Sequence, residues 1–266
     1  DKYYTPEEVS TDNPVAAMVY GDIHINAFSQ KGQETLEKVR LALRPEKNIY
    51  HDVHDHHVGS HHTKNDVMFS LQKNAEGNMT IREELMKSVK FLSDKENAYL
   101  INDNHGDHLN QWFNRFKPLN DQLNIDLYYE LGDMAREDAK EGGDCNLYRL
   151  FLQKYHEGEY NLNFPTADEL FLVRGVDCSQ HGHRGSNGAR GSAKSFARSG
   201  HKTFICHSHT PRIEKGCYQG GVATLSLPYA KGMSSWGVTH GIIHDNGKRC
   251  LIHIVDGKLS PSMRRL

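Results

Sequence analysis

Apolar residues fall along this chain in two rhythms: short unbroken runs, and stretches that repeat about every 3.6 residues. Residues 16–25 form the first run and read as a buried strand. Residues 33–43 carry an amphipathic helical pattern that stops near Pro45. A second strand is expected over 48–53, and a helix over 80–94 with Ile81, Leu85, Val89 and Leu92 on one face. A third strand is expected over 98–102. Strands alternating with helices predict an α/β fold with a parallel sheet. Residues 108–155 are mostly helical in pattern, broken near Pro118 and at Gly142-Gly143. Their apolar and aromatic positions (Trp112, Phe113, Phe116, Leu127, Tyr128, Leu131, Leu147, Leu150 and Phe151) have the spacing of packing residues. A fourth strand is expected over 170–176, a short helix over 189–199 and a fifth strand over 202–206. The tail closes with a hairpin, 241–244 against 249–255, around Asp245-Asn246-Gly247.

Composition adds less than pattern. The chain has 266 residues, 37% hydrophobic and 25% charged, which is ordinary for a globular protein. A net charge of -2 gives no global basic field to draw it onto nucleic acid. Its 5 cysteines are odd in number and scattered, which favours free thiols in a reducing compartment. No apolar run approaches the ~20 residues of a membrane span, so no membrane partner is expected. The first residue is Asp1, and residues 1–15 read as a polar lead-in. The expectation is a single domain over 16–266, cut from a longer protein and working in the cytoplasm.

The histidines change the picture. There are 18, and they gather where the apolar runs end. The runs terminate in Asp22 and His24, in Asp52, in Asn104 and His105, in His181 or His183, and in His207 and His209. On a strand, alternate side chains share a face, so Asp22 and His24 are expected to point together. In open α/β sheets, sites form beyond the carboxyl ends of the strands, where residues distant in sequence converge. Carboxylate and imidazole donors suit borderline divalent metals. Two ions roughly 3.5–4 Å apart make a phosphoester-cleaving centre, and Asp52 is the natural bridge between them.

Two further features frame that centre. His51, His54, His56, His57, His61 and His62 exceed what a two-ion site can use and read as a polar loop beside it, with His54 or His56 in substrate contact. Between Asp177 and Glu214 there is no acidic residue, and a glycine-rich stretch there carries Arg184 and Arg190. Such a strip suits phosphate groups, although a solvated helix face would look the same. Tyr229 and Trp236 read as packing residues, with base stacking as the alternative.

The ordered set Gly21-Asp22-Ile23-His24, Asp52-Val53-His54-Asp55, Asn104-His105, a His, and His207-Ser208-His209 resembles the calcineurin-like metallophosphoesterases. The resemblance runs from about residue 16 to 255. It implies two mixed β-sheets packed as a sandwich and flanked by helices, with a mainly helical insertion about 108–157. It implies one ion on Asp22, His24, Asp52 and His209, and a second on Asp52, Asn104, His181 and His207. A hydroxide bridging the ions would attack phosphorus, with His105 assisting and Asp103 orienting His105. The metal is expected to be Mn²⁺, with Zn²⁺, Fe and Mg²⁺ as alternatives. The departures are His51 and Asp103 where the family has Gly, Gly106 where it has an acid, and Cys206 where it has Gly. The expected function is a phosphodiesterase, a nuclease acting on DNA or RNA, with a phosphomonoesterase or a non-catalytic scaffold as alternatives. The setting expected is a larger phage or bacterial polypeptide or a homo-oligomer, in the bacterial or infected-host cytoplasm.

Overall fold

The computed structural model describes residues 5, 13–59, 66–77, 79–159, 161–166, 168–227, 229 and 232–260. Most of the lead-in, together with His61 and His62, lies outside the described residues.

In chain order the elements are β1 (Val15–Val19), α1 (Gln30–Leu43), β2 (Lys47–Tyr50), α2 (Val67–Ala75), α3 (Ile81–Leu92), β3 (Ala98–Leu100), α4 (Asn104–Arg115), α5 (Ile125–Lys140), α6 (Leu147–Tyr155), β4 (Leu162–Asn163), β5 (Leu172–Val173), β6 (Val176–Asp177), α7 (Ala193–Phe196), β7 (Lys202–Ile205), β8 (Arg212–Glu214), β9 (Cys217–Gln219), β10 (Thr239–His244), β11 (Arg249–Val255) and β12 (Lys258–Leu259). The chain divides into two compact units. One, the sheet unit, takes residues 1–53, 95–103 and 160–266; the other, the helical unit, takes 54–94 and 104–159. The helical part is thus larger than the pattern over 108–157 indicates, because α2 and α3 belong to it too.

The sheet unit is α/β with two mixed sheets. The first has the order β12-β11-β10-β1-β2-β3-β4 and the second β5-β6-β7-β9-β8. β1 to β4 run parallel, and β10 pairs antiparallel with β1. β6, β7 and β9 run parallel in the second sheet. One apolar cluster joins the two sheets: Ala17, Val19, Ile49 and Ile243 from the first pack with Val176, Phe204 and Cys206 from the second. β1 is buried at every position, which is why its sequence is an unbroken apolar run.

β1, β2, β3 and β7 end sooner than the pattern indicates, and a further expected strand is split in two. The run over 16–25 leaves regular pairing at Val19. Beyond it the backbone bonds alternately to both sides: Asp22 N–H donates to Gly221 O at 3.1 Å, and Ile23 N–H to His51 O at 3.1 Å. The run over 170–176 is two short antiparallel strands, β5 and β6, folded about Arg174 (φ 47°) and Gly175 (φ 78°). Two successive positive φ values make the primed turn that a tight hairpin needs, and glycine supplies the second without strain.

In the helical unit α3 starts at a capping box between Thr80 and Glu83. It buries Ile81, Leu85, Val89 and Leu92, the positions its periodicity marks. α6 contacts α3, α4 and α5, burying Leu147, Tyr148, Phe151 and Leu152. The break at Pro118 is a pair of 3-10 turns, and that at Gly142-Gly143 separates α5 from α6.

Candidate metal centre

In the sheet unit, residues at the ends of parallel strands converge. Asp22, His24, Asp52 and His209 are all buried, and one donor atom from each lies within 4.8 Å of the others. His24 Nε2 lies 3.0 Å from His209 Nε2. His209 Nε2 lies 3.1 Å from Asp22 Oδ2, and His24 Nε2 lies 3.7 Å from Asp52 Oδ2. Two donors each about 2.1 Å from one ion stand about 3.0 Å apart at a right angle and about 3.4 Å at a tetrahedral angle. The donor set and its spacing therefore fit a divalent cation.

A second group adjoins the first. His181 Nδ1 is 3.7 Å from Asp22 Oδ1, and His181 Nε2 is 3.9 Å from Asp52 Oδ2. The same Asp52 oxygen thus lies within 4 Å of both His24 and His181. The His207 ring lies 5.2 Å from that of His181, and its backbone N–H donates to Asp22 Oδ1 at 3.2 Å. Of the two alternatives, His181 lies within 4 Å of both aspartates, and His183 is half-buried, its ring 5.4 Å from that of His181.

The backbone that brings these side chains together is unusual. His24 (φ 50°), Asp52 (φ 47°), His207 (φ 73°) and His209 (φ 58°) are all left-handed. Non-glycine residues seldom adopt that region, though Asp and His tolerate it better than most, and such residues gather at functional sites. The chain turns sharply at each of these four residues instead of running past it. Gly21 permits the approach: a Cβ there would lie 2.5 Å from Thr239 O and 2.7 Å from Gly221 O. Behind it, Gly21 N–H donates to His240 Nδ1 at 3.0 Å.

Burial alone would raise the Asp22 carboxyl. The rings of His181, His209 and His24 outweigh it and hold Asp22 well below the usual carboxylate range. Burial pushes His51 and His207 down to about 4, and His181 well below its ordinary value. Neutral rings keep a lone pair for a metal, as a ligand must.

The sequence pattern names Asp22, His24, Asp52, His181, His207 and His209, and the sheet unit brings these six together. Asp103 is buried just after β3 in the same unit, and Asn104 and His105 open α4 in the helical unit. His54 and His56 are buried in the helical unit, His54 Nε2 3.3 Å from His56 Nδ1. Arg184 and Arg190 are exposed and joined by a backbone bridge in the sheet unit. Arg190 adds to the lowering of the His207 pKa, behind burial.

Three residues that adjoin these side chains lie outside that set of six. His51 is buried with its Nδ1 3.3 Å from His181 Nδ1. Trp236 meets the His209 ring edge to face at 4.6 Å. The Tyr229 hydroxyl lies 3.4 Å from His24 Nε2. A polar residue directly after a buried strand is the available signal for His51; nothing local marks the contacts of the aromatic pair. All 5 cysteines are unpaired thiols, as their spacing indicates. No helix among the described residues is long and apolar enough to cross a membrane.

No family model matches the chain, and no solved structure matches it significantly. Over 262 residues the chain is 31% identical to Protein A1 of Escherichia phage T5, an alignment covering 93% of this chain and 47% of that protein. The chain thus spans just under half the length of that relative.

Proposed function

We propose that the chain is a metal-dependent phosphodiesterase of the calcineurin-like type, and that its substrate is DNA or RNA. The observation that carries this reading is the buried quartet of Asp22, His24, Asp52 and His209, spaced as donors to one cation. Asp52, facing His24 and His181 with one oxygen, suits a carboxylate shared between two ions, with His181 and His207 serving the second. Nitrogen and oxygen donors without thiolate favour Mn²⁺ among the available metals.

Bound ions would polarise the phosphoryl group and supply a water acidic enough to attack at neutral pH. Asp22 and Asp52 contribute the negative charge that such cations need. Arg184 and Arg190 offer two guanidinium groups to the phosphates of a strand. Tyr229 and Trp236 present aromatic surface beside His24 and His209, where an unpaired base can stack. On the sequence resemblance, His105 gives a proton to the leaving oxygen, which matters most for an ester whose leaving group has a high pKa.

The test is an activity panel with Mn²⁺: plasmid DNA, RNA, a model diester and p-nitrophenyl phosphate. The proposal expects cleavage of nucleic acid and of the diester, abolished by EDTA and lowered about 100-fold or more by His105→Ala. Cleavage of p-nitrophenyl phosphate with every nucleic acid left intact would assign a phosphomonoesterase instead. Absence of Mn²⁺ binding would make the chain a scaffold.

A further inference from the structure

The helical unit holds a cavity of about 610 Å³ for which the metal chemistry proposed above has no use. That volume falls within the ~300–1,000 Å³ typical of small-ligand sites. Its walls combine three kinds of group.

The first is flat and apolar. Phe69, Trp112 and Phe116 line the cavity, with the Trp112 and Phe116 rings edge to face at 5.2 Å. Trp112 is fixed in place, because its Nε1–H donates to Asp121 Oδ2 at 2.9 Å. Asn124 Nδ2 donates to the other Asp121 oxygen at 2.7 Å, and Asn124 Oδ1 accepts from Ile81 N–H at 2.9 Å. The one acid on the wall therefore has both oxygens engaged.

The second is cationic. Lys73 is tied to Glu76 at 2.7 Å, but Arg115 and Lys117 enter no ion pair among the described residues. The third is His56. It is 1% exposed, lines the cavity, and its Nε2 has no hydrogen-bond partner among the described residues, while its Nδ1 meets His54 Nε2 at 3.3 Å. An unsatisfied buried imidazole nitrogen is unfavourable, and a hydrogen bond to a bound ligand would remove that cost.

We propose that this cavity binds a nucleotide. The base lies against Trp112 and Phe116, the phosphate is drawn to Arg115 and Lys117, and His56 Nε2 makes a hydrogen bond to the ligand. A simple anion would have no use for the aromatic wall, and an uncharged aromatic ligand none for the two unpaired cations. None of the residues lining the cavity is among those proposed above to hold the metals or to protonate the leaving group.

Trp236→Phe leaves Trp112 as the sole tryptophan of a chain that has 2, so its fluorescence reports on the cavity. The probe is dAMP, titrated in EDTA so that the metal centre takes no part and its failure or success has no bearing on the result. Saturable quenching is expected, with half-saturation at about 1 mM or below. Arg115→Ala with Lys117→Ala, both at exposed positions, should weaken it about tenfold or more. His56→Gln should also weaken it, with circular dichroism confirming the fold. No saturable change, unchanged affinity in the arginine and lysine variant, or displacement of dAMP by an equal concentration of inorganic phosphate would each overturn the proposal.

Discussion

Each of the two units buries a group of histidines, and the groups are built on different principles. In the sheet unit, His209, His24 and His181 stand 3.1, 3.7 and 3.7 Å from aspartate oxygens. In the helical unit, His54 and His56 face one another, the His54 ring stacks on Tyr148 at 5.3 Å, and one buried carboxylate, Asp55, lies 3.9 Å from His57 Nε2. Imidazole alone does not make a cation site in a dry interior. One carboxylate among neutral rings leaves half of a dication's charge uncompensated, whereas two carboxylates offset it. Histidine count is thus a poor guide to metal chemistry, and the acids between the rings decide it.

The sharpest way to break this contrast is Asp52→Asn, which keeps the shape and removes the charge. Mn²⁺ affinity by calorimetry and Mn²⁺-dependent hydrolysis should both fall by more than about 100-fold, since loss of mere supporting groups can already cost that much. Retained affinity would mean that Asp52 is no ligand.

Stability against pH separates the units next. Burial raises Glu84 in the helical unit to about 8. The folded state then holds a proton that the unfolded chain releases near its ordinary pKa of 4.5. That stabilisation is present below about pH 4.5 and is lost as pH rises toward 8. At about 1.4 kcal/mol per pKa unit the loss amounts to several kcal/mol. Glu84→Gln should flatten it in urea titrations followed by circular dichroism. Buried histidines act in the opposite sense. His240 in the sheet unit and His54 in the helical unit are pushed down to about 3 from 6.5. Their contribution is present above about pH 6.5 and is lost as pH falls toward 3. An alkaline loss that survives Glu84→Gln would show another group to be responsible.

Smaller effects sharpen the picture. His240→Phe leaves the buried Gly21 N–H without its acceptor and should cost about 1–3 kcal/mol of stability. His54→Gln should leave Mn²⁺ affinity where it was. If that affinity falls as it does in Asp52→Asn, the two histidine groups are not distinct in kind.

Much of the centre is legible because strand-end chemistry obeys a simple rule: apolar runs mark parallel strands, and the residues just past each run face the same end of the sheet. Asp22, His24, Asp52, His207 and His209 are all found that way. For one pair the rule foresees the proximity but by an incomplete route. Strand alternation has Asp22 and His24 meet on one face, yet β1 ends at Val19 and His24 has turned left-handed. Such turns depend on close neighbours like Gly221 and Thr239, far away in sequence. α2 leaves no amphipathic trace because Val67 and Met68 are 70% and 74% exposed. The membership of 54–94 in the helical unit rests on tertiary contacts, which periodicity cannot carry.

The left-handed backbone at His24, Asp52, His207 and His209 has a consequence for how these positions can vary. Any replacement there is judged on two counts, the donor atom it presents and the turn it must adopt. Asparagine satisfies the turn while changing the donor, and valine or isoleucine satisfies neither. Exchange to asparagine is therefore the cleaner dissection of ligation from folding, and drift across descendants of this chain should be confined at these four sites to a very short alphabet.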